Sequence, residues 1–269
     1  MTAHLQSLQC TSFGVSFQLA AESDSVLAGM FACAPLGTQV CAPSSSAICQ
    51  FALLSPRGTA GFRLAVDDQT IAEDGALQPA LDRLARDLMI HVANYAPDRV
   101  FLHAGVVGWQ DRALLFPGTS FAGKTTLVAE LVRAGAIYYS DEYAVLDQHG
   151  RVHPYPRDLQ MRLAGSTQQS AVAVEHLNGT VGTSPLSVAR VVFTEYRESG
   201  HWNPQPVSAG IAVLEMLQHA VPVQRTPARV MATLAKLMET ATAVRSERGE
   251  ASEAANSLLT AIPLGGAPV

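Results

Sequence analysis

Eight residues, Gly118-Thr119-Ser120-Phe121-Ala122-Gly123-Lys124-Thr125, fit the pattern GxxxxGK[ST] without a mismatch. Each residue type in that pattern has a chemical reason. The glycines let backbone N–H groups turn inward around phosphate oxygens. The ammonium of Lys124 reaches the outer phosphates, and the hydroxyl of Thr125 ligates Mg²⁺. A helix that starts at Lys124 adds the positive end of its dipole. With Thr126 as the next residue, the candidate nucleotide-binding set runs from Gly118 to Thr126. Phe121 stands where such loops usually carry a small residue; it either stacks on a ligand or covers the loop.

Phosphoryl chemistry needs a carboxylate to hold the metal or to activate a nucleophile. The stretch AIYYSDEYAVL offers Asp141 and Glu142, one helix after the glycine-rich segment. Neighbouring residues in a strand point to opposite faces. One of the two therefore enters the site, unless the backbone bends between them.

The elements that must position these residues are legible as a strand, a loop and a helix. RVFLHAGVVGW and RALLFPG read as strands joined by QDR. KTTLVAELVRAG reads as an amphipathic helix closed by Gly135. AIYYSDEYAVLD reads as one strand region, VHPYPRDLQMRLAG as extended and broken by proline, and VARVVFTEYR as a strand. SAGIAVLEMLQHA, ARVMATLAKLMETATAVR and ASEAANSLLTAI read as helices, and RSERGEASEA as a solvated charged stretch. Upstream, residues 1–72 read as short β-like pieces. A helix follows, with Leu77, Leu81, Leu84, Leu88 and Val92 as its apolar stripe. The expected domains are an N-terminal α+β extension, 1–98, and a catalytic part, 99–269.

The chain has 269 residues, 48% of them hydrophobic and 15% charged, enough to bury a sizeable core. A net charge of -5 argues against a general nucleic-acid binder. Lysine occurs only at Lys124 and Lys236, so one of the two lies in the glycine-rich segment. Cys10, Cys33, Cys41 and Cys49 form no CxxC pair and suit free thiols in a reducing compartment. No apolar run of about 18 residues predicts a membrane span. MTAHLQSLQC carries no signal-peptide pattern, and a cytoplasmic location is expected. His149, His153, His176, His201 and His219 show no ligand spacing.

HAGVV, then GTSFAGKTTL, then GAIYYSDEYAVL resembles the catalytic domain of the HPr serine kinase/phosphorylase family and, more distantly, the phosphate loop of phosphoenolpyruvate carboxykinase. The likeness spans about residues 100 to 165, with weaker agreement in VVFTEYR and the C-terminal helices. It implies an α/β fold: a P-loop core of mostly β-strands with flanking helices, plus the smaller N-terminal α+β part. It implies that Asp141 is the base on the substrate hydroxyl and that Glu142 stands near the metal with Thr125. His103 matches the family's histidine close to the loop. Arg162, in DLQMR, falls where the family has an arginine in Leu-Glu-x-Arg-Gly, and Arg157 is a second candidate cation. Gln160 stands where that motif has Glu, and Leu163 where it has Gly. The motif is tied to the reverse, dephosphorylating reaction. The chain is therefore more similar to the divergent HPr-kinase-like proteins found beside peptide-modification genes.

The expected activity is transfer of the γ-phosphoryl group of ATP, with Mg²⁺, to a hydroxyl of a peptide, protein or small molecule. Tyr196 and Arg197 are further candidate substrate contacts. No nucleic-acid or membrane partner is expected, and the resemblance implies homo-oligomers. Two other readings stand beside it: a nucleotide-binding regulatory or peptide-recognition module without transfer, and a nucleotide hydrolase.

Overall fold

Alternation of apolar and polar side chains builds the strands of the N-terminal region. In Val15–Ala21, Val15, Phe17 and Leu19 are buried, whereas Ser16 is exposed. That strand (β2) pairs antiparallel with Gln6–Ser12 (β1) through a turn at Phe13 and Gly14, both with positive φ. Two left-handed residues match the twist of a hairpin. The computed structural model describes residues 5–42, 48–55, 61–118, 123–162 and 169–261, without the side chains of Arg162 and Gln169. Its fold is mixed α/β. It divides into two compact units, Met1–Asp98 and Arg99–Val269.

The first unit continues with helix α1 (Asp24–Ala32) and strands β3 (Gln39–Val40), β4 (Cys49–Leu54), β5 (Phe62–Val66) and β6 (Gln69–Asp74). It ends in helix α2 (Leu77–Tyr95). The sheet order is β3-β1-β2-β4-β5-β6, with β2 and β4 parallel. Of the expected stripe in α2, Leu81, Leu84, Leu88 and Val92 are buried, while Leu77, the first residue of the helix, is half-buried. Helix α1 corrects the reading of residues 1–72 as strand pieces. Its run VLAGMFA is apolar all round and hides the helical period, while Ser23 caps its start by accepting from the Val26 N–H at 3.4 Å.

The second unit is a mixed sheet between two helical layers. Its elements begin β7 (Val100–Trp109), β8 (Arg112–Pro117), α3 (Lys124–Arg133), β9 (Ile137–Ser140), β10 (Tyr143–Leu146), β11 (Arg151–His153), β12 (Leu159–Arg162) and β13 (Gln169–Val172). They continue β14 (Leu186–Tyr196), β15 (Gln205–Val207), α4 (Ala209–Leu217), α5 (Pro227–Met238), β16 (Thr242–Arg248) and α6 (Ala251–Thr260). The main order is β11-β10-β7-β8-β14-β16-β15, and β9 joins β7. Because β11 also pairs with β14, the path β14-β8-β7-β10-β11 closes on itself. The strands β8, β14 and β16 run parallel.

Side-chain alternation explains the two layers. Ala113 and Leu115 of β8 pack on the side of α4 and α5, with Met216, Leu234 and Leu237. Leu114 and Phe116 pack on the side of α3 and α6, with Leu127, Val128, Leu131 and Leu258. Helix α3 stops where predicted. Gly135 has φ +99, and the N–H groups of Gly135 and Ala136 bond back to the carbonyls of Val132 and Leu131.

Three sequence expectations change here. AIYYSDEYAVLD is two strands, β9 and β10, with Asp141 and Glu142 in the break between them. The Ser140 hydroxyl makes the break by accepting from the N–H groups of Glu142 and Tyr143 at 3.2 and 3.0 Å. The end of ARVMATLAKLMETATAVR is not helix; α5 ends at Met238, and Thr242 opens strand β16. RSERGEASEA is solvated on one side only: Arg245, Glu247, Glu250 and Glu253 are exposed, whereas Ser246, Arg248, Ala251 and Ala254 are buried in β16 and α6. No helix among the described residues is long and apolar enough to cross a membrane. Cys10, Cys33, Cys41 and Cys49 form no disulfide.

Candidate functional site

Three strand ends and one helix start meet around His103, Ala104 and Gly105 of the central strand β7. The His103 carbonyl accepts from the Gly118 N–H at 3.2 Å, and its own N–H donates to the His219 carbonyl at 2.8 Å. The Ala104 N–H donates to the Glu142 carbonyl at 3.2 Å. Gly105 admits helix α3: a Cβ there would lie 2.7 Å from Val128 Cγ2 and 3.9 Å from Lys124 Cβ. Backbone bonds and one missing side chain thus bring residues 103, 118, 124, 142 and 219 to one place.

Gly123 precedes the first residue of α3 with φ 76 and ψ 16, in the left-handed region where a Cβ is costly. Lys124 Nζ donates to the Gly118 carbonyl at 2.8 Å, spanning the glycine-rich segment from end to beginning. Burial pulls the Lys124 ammonium below its ordinary pKa, and the charges of Asp141 and Glu142 oppose that shift. Thr125 Oγ1 donates to Asp141 Oδ2 at 2.8 Å. Thr126 is exposed on the first helical turn. Thr119, Ser120, Phe121 and Ala122 lie outside the described residues.

Asp141 is 8% exposed. Its Oδ1 lies 2.9 Å from the Tyr138 hydroxyl, and the Gln160 backbone N–H also serves it. Burial raises its pKa against those hydrogen bonds. Glu142 is differently placed. Its side chain is 46% exposed and holds Arg157 at 3.1 Å. Desolvation pushes the Glu142 carboxyl up and Arg157 pulls it down. Of the two carboxylates, Asp141 is the one bonded to Thr125; Glu142 faces Arg157. Leu163 lies outside the described residues, and Arg162 is placed only by its backbone, in β12 two residues beyond Gln160.

His103 stacks on Tyr143 with ring centroids 4.5 Å apart. Its pKa is lowered by burial, then by Lys124 and His219; that of His219 is lowered by burial and Lys124. His103, Lys124 and His219 therefore form a cluster of basic groups. Sequence spacing could not find His219, because it joins the cluster from the end of α4. Arg248, the last residue of β16, was also missed. It is 2% exposed, and its Nη2 donates to the Gly123 carbonyl at 2.9 Å. The alternation Val244, Ser246, Arg248 points to it only once β16 is known to be a strand. Tyr138 was not among the residues singled out from the sequence, where its three-residue spacing to Asp141 is its sole signal.

The oxygen groups of Thr125, Asp141 and Glu142 suit a hard cation such as Mg²⁺. Among the described residues no three or more His, Cys, Asp or Glu side chains are grouped so as to hold a metal ion by themselves. A magnesium ion held here would complete its shell with water and phosphate oxygens, as it usually does. No protein-family model matches the chain, and no curated protein matches it.

Proposed function

We propose that this protein is an ATP-dependent phosphotransferase with a hydroxyl acceptor, similar to HPr serine kinase. The observation that carries the reading is the Thr125–Asp141 hydrogen bond of 2.8 Å beside Lys124. It joins the last residue of GxxxxGK[ST] to a buried carboxylate, as phosphoryl transfer requires.

In the proposed reaction the acceptor oxygen forms a bond to the γ-phosphorus, and the bond from that phosphorus to the β–γ bridging oxygen breaks. ADP leaves. The acceptor's proton passes to Asp141, whose pKa burial raises above that of an ordinary carboxyl, which makes it a stronger base. Thr125 keeps its proton, donates its O–H hydrogen bond to Asp141, and would leave lone pairs for Mg²⁺, with Glu142 as the neighbouring carboxylate. When bound, Mg²⁺ supplies neutralisation of charge on the phosphate oxygens. Lys124 and the N-terminus of α3 add to that effect, with His103 and His219 alongside. The acceptor is a serine of a peptide or protein, or a small molecule. Arg157 and Arg162 are the candidate cations on the acceptor side.

A second reading is a nucleotide-gated binding module. It is favoured by the engagement of both Asp141 oxygens, one by Thr125 and one by Tyr138. The deciding experiment incubates the protein with Mg²⁺ and γ-labelled ATP in a fractionated lysate of its own host. Lys124→Ala and Asp141→Asn are the controls. Label in one product, lost in both variants, supports the kinase. Lys124-dependent binding with no label moved supports the module, and phosphate release with no labelled product indicates a hydrolase.

A further inference from the structure

Arg248 is a buried cation with no ion pair among the described residues, although the charge of Glu250, two residues on, acts on it from beyond contact distance. It ends β16 in register with Tyr196 of β14 and is 2% exposed. Its Nη2 donates to the Gly123 carbonyl at 2.9 Å and its Nη1 to the Gly249 carbonyl at 3.2 Å. Its guanidinium carbon lies 5.6 Å from the centre of the Tyr196 ring. All these partners are neutral. Among the described residues no carboxylate forms an ion pair with Arg248, and its buried Nε has no acceptor.

A guanidinium stays protonated in proteins and cannot escape the cost of burial by losing its charge. A buried charge is normally paired, and a buried donor is normally bonded. The guanidinium sits at the carboxyl ends of the parallel strands β8, β14 and β16, the end from which the glycine-rich segment leaves β8. One strand over, buried Thr194 Oγ1 also lacks a partner, in register with Ser246. The guanidinium is pressed against the start of α3: a Cβ on Gly123 would lie 2.3 Å from Nη2. Glycine at 123 therefore serves two ends. It permits the left-handed turn, and it lets a second cation reach the backbone of the segment that Lys124 closes.

We propose that Arg248 is a phosphate contact of this site, a second cation beside Lys124 that binds the polyphosphate chain of a nucleotide through its free Nε–H. The proposal rests on the reading of residues 118–125 as a phosphate loop. The competing account is a purely structural clamp on the Gly123 carbonyl.

Binding of Mg-ATP and of pyrophosphate is measured by calorimetry on the full chain and on Arg248→Met, Arg248→Lys and Lys124→Ala. Arg248→Met should weaken both ligands at least ten-fold, and Arg248→Lys less. On the unmodified protein, the ¹⁵N-labelled arginine Nε–H resonance that disappears in Arg248→Lys should shift when pyrophosphate is added. That measurement separates direct contact from a clamp, and its assignment needs only the lysine variant. Should neither variant fold, the wild-type spectrum still decides: a slowly exchanging arginine Nε–H must move with pyrophosphate. A folded Arg248→Met that binds both ligands like wild type overturns the proposal, as does an Nε–H signal unmoved at saturation. If Lys124→Ala loses binding while the Arg248 variants keep it, the phosphate-loop reading stands and Arg248 falls. If wild type binds neither ligand, both fall.

Discussion

The Tyr138 hydroxyl lies 2.9 Å from Asp141 Oδ1 and 2.8 Å from the Arg157 carbonyl oxygen, although it has one proton to give. With Asp141 ionised, the two acceptors compete for that proton. With Asp141 protonated, its own O–H serves the Tyr138 oxygen and Tyr138 serves Arg157. Burial favours the neutral carboxyl, while the bonds from Thr125, Tyr138 and Gln160 favour the charged one, and the competing Arg157 carbonyl draws on the same Tyr138 proton.

Asp141→Asn should abolish transfer without loss of stability. The new amide donates to the Tyr138 oxygen, and its carbonyl still accepts from Thr125. Removing the buried charge should stabilise the fold by about 1 kcal/mol, which raises Tm by roughly 2–4 °C in a chain of this size. The pH dependence has a definite sign. The folded pKa of Asp141 is raised, so the folded state binds the extra proton. Wild-type stability from this group is full below the unfolded value of about 4 and declines as pH rises through the folded value. The advantage of the asparagine variant should therefore be larger at pH 7 than at pH 4 in thermal melts. An equal advantage at both would mean that Asp141 titrates normally.

Tyr138→Phe tests the other partner. The Tyr138 bond lowers the Asp141 pKa against the effect of burial. Without it the carboxyl rises further, and the acidic limb of the pH–rate profile should move to higher pH. Loss of the hydrogen bond should also cost about 1 kcal/mol of stability in denaturant titration. A pH profile that stays in place would place Asp141's proton outside the rate-limiting chemistry.

How much of this was legible beforehand follows from the range of the signals. The glycine-rich segment, its strand and its helix are local and contiguous, so β8 and α3 were read with nearly correct bounds. Asp141 was legible because it follows α3 by one strand. Its hydrogen bond to Thr125 was not, because Ser140 breaks the strand and turns the carboxylate inward. Helix α5 and strand β16 were merged, since alanine, threonine and valine carry the boundary without a glycine or proline to mark it. Arg248 followed that error into the solvent. His219 arrives from a different element, and only the closed path of β14, β8, β7, β10 and β11 brings the chain around it together.

Gly105 explains the glycine two residues after His103 in physical terms. Gly105→Ala puts a methyl group 2.7 Å from Val128 Cγ2. Overpacking of this kind costs about 1–3 kcal/mol, and relief here means moving the first turns of α3 off β7. Nucleotide affinity should fall with stability. Adding Val128→Ala should recover part of both, giving a double variant more stable than the sum of its parts predicts. Strict additivity would show that the helix does not rest on Gly105.

The cluster of His103, Lys124 and His219 makes a prediction about protons. Both histidines have pKa values lowered by burial and by the Lys124 charge. Each is therefore held more in its neutral form than an ordinary imidazole at the same pH. A bound polyphosphate places negative charge beside Lys124, offsets its repulsion and favours the imidazolium form. Binding of Mg-ATP should then take up protons over about pH 6 to 7 and little at pH 8. Calorimetry in two buffers of different ionisation enthalpy reads the uptake directly. His103→Gln and His219→Gln should each reduce it, and the double variant should remove most of it. The structure gives the two histidines unequal shares: His103 sits in the sheet against Tyr143, and His219 at the end of α4 with Glu215 acting to raise its pKa. Uptake that persists in the double variant would trace to another group. Absence of uptake in wild type at pH 6.5, with binding intact, would mean that the phosphates sit away from this cluster.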